Sequence, residues 1–199
     1  VDLSCVAAGV SMLWSPPSQS ESEGDAGVPA VVEQSRMETA AEERVSLAEV
    51  APVEGVFVRQ WGSYGSGEGE FNEPTEMCVS GEEVFVCDGY NPRIQVFARD
   101  GSFVRQWGSE GSGQGQFLYP YGVAVSEGEV FVCDYSNRRI QVFGVDGSFV
   151  RQWGGLAGPS GVAVSDGEVL VSNMVYNFAD NTIQVFDVAG TLLRQWGTK

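Results

Sequence analysis

The sequence contains no histidine, and this absence removes every mechanism that needs an imidazole. Ser-His-Asp and Cys-His nucleophiles, and zinc held by histidine, are therefore unavailable to this chain. Basic residues are also few: 11 lysines and arginines stand against 27 aspartates and glutamates, a formal net charge of −16. Because binding to a phosphate backbone needs clustered cations, this charge argues against a nucleic-acid partner.

Cysteine is scarce as well, with Cys5, Cys78, Cys87 and Cys133 in 199 residues and neither a CxxC pair nor a metal-ligand spacing. We expect buried, reduced thiols that act as small apolar residues, and we predict neither a metal nor a cofactor. No apolar run reaches the roughly 20 residues of a membrane-spanning helix, so no membrane segment is predicted. The compartment is left open, with the cytoplasm as the default.

What the sequence has in abundance is internal repetition. The string RQWG occurs four times, and its tryptophans, Trp61, Trp107, Trp153 and Trp196, are spaced by 46, 46 and 43 residues. Between them IQVF occurs three times and VFVCD twice, with VLVSN in the third unit. A repeat of this length is typical of propeller blades, which have about 40–50 residues each.

Each unit has the pattern of four short strands joined by tight turns. In the middle unit GVAVS is followed by VFVCD and RIQVF, rich in β-branched and aromatic residues, and then by SFVRQWG, which alternates with a period of two. Asp-Gly and Glu-Gly pairs between them favour tight hairpins. The sequence therefore predicts an all-β propeller with three four-stranded antiparallel blades, at about 70–108, 116–154 and 157–197, and one extra outer strand at 55–62.

The order of these segments resembles the NHL repeat, a β-propeller family. The segment N-x-R-I-Q-V-F is matched at Asn91–Phe97 and Asn137–Phe143, and the resemblance covers 54–199. It implies an NHL-type β-propeller present as a partial ring, because such propellers usually have about six blades. We therefore expect either that the sequence is a fragment or that two copies self-associate to complete the ring.

The resemblance also implies a function, namely a non-catalytic scaffold for protein–protein interaction. In tripartite-motif proteins of this family the propeller recognises substrates for a ubiquitin ligase, whose RING would have to lie outside this chain. Other NHL propellers bind RNA, which the acidic charge disfavours here. The predicted inner strands carry no converging acidic residues, so we predict that the protein is not an enzyme.

Two charged positions disappear together from the third unit. Asp88 and Arg93 in the first unit correspond to Asp134 and Arg139 in the second, whereas the third has an asparagine and a threonine. This joint loss predicts a structural ion pair inside each of the first two blades, partly exposed at the turn between strands. A catalytic aspartate is the alternative interpretation.

The loops at one end of the blades are the predicted binding surface, because the connectors and the turns between second and third strands share one face of a propeller. Their tyrosines give stiff contact area to a protein partner, and their carboxylates favour a basic one. A solvated acidic surface without a partner is the alternative. The candidate face consists of Tyr64, Glu68, Glu70, Glu73, Tyr90, Glu110, Tyr119, Tyr121, Tyr135 and Tyr176.

The first 53 residues show no repeat. The stretch 15–27 has the composition of a linker and 31–48 has the pattern of one weak helix, so 1–53 is predicted to be mostly disordered or weakly helical. We expect the four repeated tryptophans to pack between blades, with an exposed aromatic platform for a ligand as the alternative.

Overall fold

The computed structural model describes residues 56–174 and 181–197. The predicted helix at 31–48, Cys5 and Tyr176 lie outside the described residues. Within the described part all regular structure is β, and no helix there could cross a membrane.

Three four-stranded antiparallel sheets follow one another along the chain, and each has its strands in sequence order. A small parallel sheet precedes them, formed by β1 (Ser63–Tyr64) and β2 (Glu70–Phe71). Blade 1 consists of β3 (Pro74–Ser80), β4 (Glu83–Asp88), β5 (Arg93–Ala98) and β6 (Phe103–Trp107). Blade 2 consists of β7 (Pro120–Ser126), β8 (Glu129–Asp134), β9 (Arg139–Gly144) and β10 (Phe149–Gly154). Blade 3 consists of β11 (Pro159–Ser165), β12 (Glu168–Asn173), β13 (Ile183–Asp187) and β14 (Leu192–Trp196).

The strand register repeats from blade to blade. In every blade the isoleucine of IQVF pairs with the tryptophan of RQWG, as in Ile94 with Trp107. The same register follows from the same sequence, because a slip by one residue would move every apolar side chain to the other face. The sheets therefore confirm the prediction of repeated four-stranded antiparallel blades.

Two of the three clusters that form the described hydrophobic core lie between neighbouring blades, and the third, which includes Val84, lies on the other face of blade 1. Ile94 and Val96 of blade 1 pack in one cluster with Val130 and Phe143 of blade 2. A second cluster joins the other face of blade 2 to blade 3 and includes Phe131. Each blade is a two-sided apolar sheet, so its strands are buried on both faces wherever a neighbouring blade is present.

Two of the four repeated tryptophans are packed between blades, as predicted. The ring of Trp107 lies 5.8 Å from that of Phe143 in the next blade, and Trp153 lies 5.8 Å from Phe186. A glycine makes room for each indole: a Cβ on Gly147 would lie 2.9 Å from Trp107. The buried indole N–H groups of Trp107 and Trp153 have no hydrogen-bond partner in the described structure, so these rings contribute through packing.

The prediction of an extra outer strand at 55–62 is wrong for the described residues 56–62, which differ in this from their repeats. It includes the sequence FVRQWG, which forms the outer strand of blades 1 and 2, yet the described residues 56–62 lie in no strand. The side chains of Val56, Phe57 and Val58 are 74–80% exposed. The reason is the missing partner, because each described IQVF strand already pairs with an outer strand of its own blade.

The three described cysteines, Cys78, Cys87 and Cys133, are buried free thiols, as predicted. Burial in an apolar environment raises the pKa of the Cys87 and Cys133 thiols well above the ordinary value. These side chains therefore remain protonated and act as small apolar residues.

Candidate binding face

The predicted ion pair is present in blades 1 and 2, and it is more deeply buried than expected. Arg93 Nε lies 2.9 Å from Asp88 Oδ2, and Arg139 Nε lies 2.9 Å from Asp134 Oδ2. Both aspartate side chains are fully buried, whereas the sequence predicted partial exposure at a turn. The difference arises because the glycine-rich connector folds back over the pair and covers it.

The arginine of each pair holds that connector through its carbonyl groups. In blade 2, Arg139 Nη1 donates to Ser112 O at 2.7 Å, and Nη2 donates to Gly113 O and Gln116 O at 2.8 and 2.7 Å. Arg93 makes the equivalent three bonds in blade 1. One guanidinium offers five donors in a fixed plane, so it can satisfy several loop carbonyls together.

Blade 3 has lost the charges and the long connector together. Asn173 Oδ1 still accepts a hydrogen bond from Ala157 N at 3.2 Å, as Asp134 Oδ1 does from Leu118 N at 3.1 Å. With no long connector to anchor, an arginine in blade 3 would have no connector carbonyls to bind. Asn173 Oδ1 suffices for the remaining amides, because it accepts hydrogen bonds from both Ala157 N and Gly158 N. The signal in the sequence was the shortened third connector.

A shallow cleft of about 600 Å³ lies beside the shortened connector. It is lined by Arg138, Trp153, Gly155 and Leu156 among others. Leu156 stands where blade 2 has Phe117, whose ring closely approaches Gly108. The cleft follows from the smaller side chain and the shorter loop.

Four of the predicted tyrosines form one contiguous cluster. The ring of Tyr119 lies 5.4 Å from Tyr90, 5.9 Å from Tyr121 and 6.3 Å from Tyr135, and the last two lie 6.0 Å apart. Tilted and edge-to-face arrangements at such distances are favourable for aromatic rings. We call these four residues the tyrosine cluster. It joins the turn between the second and third strands of blades 1 and 2 with the entry to β7.

One carboxylate of the predicted face is hydrogen-bonded to the tyrosine cluster. The phenol of Tyr119 donates a hydrogen bond to Glu73 Oε2 at 2.7 Å. Burial first, and then this carboxylate, raises the pKa of Tyr119 above its ordinary value, so the phenol stays a donor. Glu73 itself has a left-handed backbone, with φ of 58°, a conformation that non-glycine residues rarely adopt.

The remaining predicted face residues are distributed elsewhere. Tyr64 is 84% exposed, and Glu68 and Glu110 are exposed, but no described ring contact joins Tyr64 to the tyrosine cluster. Glu70 has a local role, because its Oε2 accepts a hydrogen bond from Gly67 N at 2.8 Å and fixes the connector. Within the tyrosine cluster, Tyr90 is the most accessible residue at 62% exposure, because the other three tyrosines are partly buried.

Sequence reasoning missed one carboxylate on an inner strand. Glu76 lies on β3, and its Oε2 accepts a hydrogen bond from Val123 N of β7 at 3.2 Å. The corresponding position in blade 2 is Gly122, where a Cβ would lie 2.8 Å from this oxygen. When the three units are aligned, Glu76 stands where the other two have a glycine, and this difference was the signal in the sequence that marked the position. Across the described residues no group of three potential metal ligands is found.

Comparison with known proteins supports the fold. The family model DUF5128, described as a six-bladed β-propeller, matches residues 68–154, less than half of the chain. No curated protein matches the sequence. The NHL type of the repeat is a prediction that these findings leave open.

Solved structures show the same fold at low sequence identity. A protein from Bacteroides fragilis described as exported matches with a TM-score of 0.54 and 18% identity, over 69% of this chain and 40% of its own. Hydrazine synthase of Kuenenia stuttgartiensis matches with a TM-score of 0.53 and 16% identity, over 67% of this chain and 39% of its own. A catalytically inactive virginiamycin B lyase from Staphylococcus aureus, solved with quinupristin, matches with a TM-score of 0.50 and 16% identity, over 66% of this chain and 42% of its own. The chain thus spans about two fifths of the length of these proteins.

Proposed function

We propose that this protein is a non-catalytic binding module that takes up a basic protein segment on the tyrosine cluster. The observation that carries the proposal is the contact of three tyrosines with Tyr119, among which Tyr90 is exposed at the edge. Tyrosine supplies large contact area at a low cost in side-chain entropy, because it has only two rotatable bonds. Rings that already pack on one another are ordered before a partner arrives, which lowers that cost further.

Charge supports a basic partner. Glu73 is hydrogen-bonded to Tyr119 of the tyrosine cluster, and the chain as a whole carries a formal net charge of −16. A lysine or arginine side chain of a partner gains both from the carboxylate and from the face of an exposed tyrosine ring. The same field accelerates the encounter with a cationic segment at low ionic strength.

The other functions implied by the resemblance gain no support from a specific observation. No described residue favours recognition of substrates for a ubiquitin ligase, and the net charge continues to disfavour RNA. Catalysis likewise lacks a described group of residues that would carry it.

The test is a selection from a random peptide display library with the full chain, followed by calorimetry on a selected peptide. We expect the selected peptides to be enriched in lysine and arginine and to bind more weakly as salt is added. Substitution Y90A should weaken binding by at least about tenfold, as truncation of an interface tyrosine commonly does.

The matched control is Y64A, which removes a tyrosine outside the tyrosine cluster that is 84% exposed, more than Tyr90 at 62%. Its affinity for the selected peptide should equal that of the unsubstituted chain. Selected peptides without enrichment in basic residues, or equal affinities for the chain with and without Y90A, would overturn the proposal.

A further inference from the structure

Blade 3 leaves part of the face that its counterparts bury open to solvent, although Val185 on this face is itself buried. In blade 2 the residues of this face include Phe131 and Ile140, which are 1% and 0% exposed beneath blade 3. Their counterparts Leu170 and Ile183 are half-buried, and Trp196 is 48% exposed. The end face of blade 3 is therefore an apolar sheet surface that the described residues leave partly uncovered.

The equivalent faces of blades 1 and 2 are each covered by the following blade. Trp107 is packed against Phe143 of the following blade, and Trp153 against Phe186 of the following blade. Beside each tryptophan an arginine crosses to a carbonyl of the same following blade: Arg105 Nε donates to Val145 O at 2.9 Å. In both cases the cover is another blade of the same repeat.

Within the described residues, Arg194 of blade 3 lacks the hydrogen bond to a carbonyl of a following blade. Arg194 pairs with Glu168 in its own blade at 2.6 Å, as Arg105 and Arg151 do with their own glutamates. Arg151 Nε also donates to Val188 O of the next blade at 2.7 Å. No carbonyl among the described residues accepts a hydrogen bond from Arg194 Nε.

Blade 1 contains the complementary site. Phe97 and Gly101 are its counterparts of Phe143 and Gly147, the residues that receive Trp107 in blade 2. In this chain Trp61 occupies that site. Its ring lies 6.4 Å from the ring of Phe97, and a Cβ added to Gly101 would lie 2.9 Å from the indole. Trp61 belongs to the first RQWG string, and Trp196 to the last.

We propose that two copies of this chain associate head to tail, so that Trp196 of each copy takes the site on Phe97 and Gly101 that Trp61 occupies in the single chain. The blade 3 face of each copy then covers the blade 1 face of the other. Val84 and Phe97 on that face are already buried in the single chain, so association replaces what covers them there, Trp61 included. The three described blades of each copy then make six, the number in the matching family description. A two-fold ring of this kind closes on itself, so association stops at the dimer.

A second copy fits this surface because the contacts that it needs are already encoded in the chain. The four residues RQWG are the same at both ends, so either tryptophan meets the same phenylalanine and glycine. Arg99 is the counterpart of Val145 in the repeat, so its carbonyl is the acceptor that we expect for Arg194 of the other copy. Because both copies are acidic, moderate salt should strengthen the dimer, opposite to its effect on a basic peptide.

The test is the solution mass of the full chain by light scattering and sedimentation across a range of concentrations and salt. We expect twice 21.3 kDa at high concentration. Substitution W196A should abolish the dimer, whereas W61A should lower its dissociation constant by at least about tenfold, because it removes the competing occupant. Two tryptophans of the same repeat position are thus expected to have opposite effects.

The matched control is L193A. Leu193 is 49% exposed on the same strand, and its counterparts Val104 and Val150 remain 44% and 47% exposed although a further blade follows them. Leu193 therefore faces solvent, and its removal should leave the dimer unchanged. Because Trp196 is half-exposed in the single chain, W196A should retain the far-ultraviolet circular dichroism of the fold.

Three outcomes would overturn the proposal: a mass of 21.3 kDa at every concentration, a dimer that survives W196A, or a dimer weakened by W61A. If W196A fails to fold, the direction of the W61A effect alone decides. The result is independent of the proposed binding function, which is tested at Tyr90 with a peptide.

Discussion

At the scale of single residues, one buried carboxylate organises the top of each of the first two blades. Asp134 Oδ2 accepts hydrogen bonds from Arg139 Nε at 2.9 Å and Asn137 Nδ2 at 2.8 Å, while Oδ1 accepts one from Leu118 N. A buried charge is tolerated only when such partners replace water. Asp134 therefore connects two strands and a connector through one side chain.

Substitution D134N should be strongly destabilising. It leaves the guanidinium of Arg139 buried without its counter-charge, and breaking a buried pair in this way costs about 3–5 kcal/mol in the free energy of unfolding. Urea denaturation followed by tryptophan fluorescence measures the change. The matched control is E129Q, which breaks the partly exposed pair with Arg151 and should cost about 1 kcal/mol or less. Equal losses in the two variants would contradict the structural role assigned to Asp134.

The sequence predicted this pair but not its surroundings. Joint loss of the charges from the third unit indicated that Asp134 and Arg139 contact each other. The carbonyls that Arg139 binds belong to a serine, a glycine and a glutamine, and these residue types carry no such signal, because any residue has the same backbone. Burial of the pair therefore could not be predicted from residue types alone.

At the scale of elements, the contact between blades depends on a turn glycine beneath each tryptophan. Gly147 has φ of 86°, and its backbone lies directly against the indole of Trp107. Gly128, in another turn of the same blade, has φ of 80° but has nothing within 4 Å of its Cβ position. The two glycines share a backbone conformation and differ only in what they touch.

Substitutions G147A and G128A should therefore differ in cost. Both place an alanine in a left-handed conformation, which costs about 1 kcal/mol. Only G147A also pushes a methyl group into a packed ring, which adds about 1–3 kcal/mol. Thermal or urea unfolding of the two variants measures the difference. If G128A proved as destabilising as G147A, the site beneath Trp107 would not be the tight contact described here.

Elements were the most predictable level of this fold. IQVF and RQWG carry the period of two, the β-branched residues and the flanking turn glycines that favour a hairpin, and the strands form where these patterns predict them. The exception is instructive, because 57–62 has the same sequence as two strands and forms none. A strand needs a partner edge, and that requirement is not contained in the six residues themselves.

At the scale of the whole molecule, the three described blades follow one another so that each makes its main contacts with its neighbours along the chain. Blade 2 is covered on both faces, by blade 1 through one core cluster and by blade 3 through the other. Blade 3 has one such neighbour, and all residues of β14 are exposed. Stability in such arrays is approximately a sum of unit and neighbour contributions, so it should vary from blade to blade.

Amide hydrogen exchange measured by mass spectrometry should follow this order. We expect the slowest exchange in β8 and β9 of blade 2 and the fastest among the paired strands in β13 and β14, because local opening is easiest where apolar contacts are fewest. The measurement is best made on W196A, since a dimer would protect blade 3 as well. Protection of β13 equal to that of β9 in this variant would mean that the three blades are one cooperative unit, and that contacts between blades do not govern local opening.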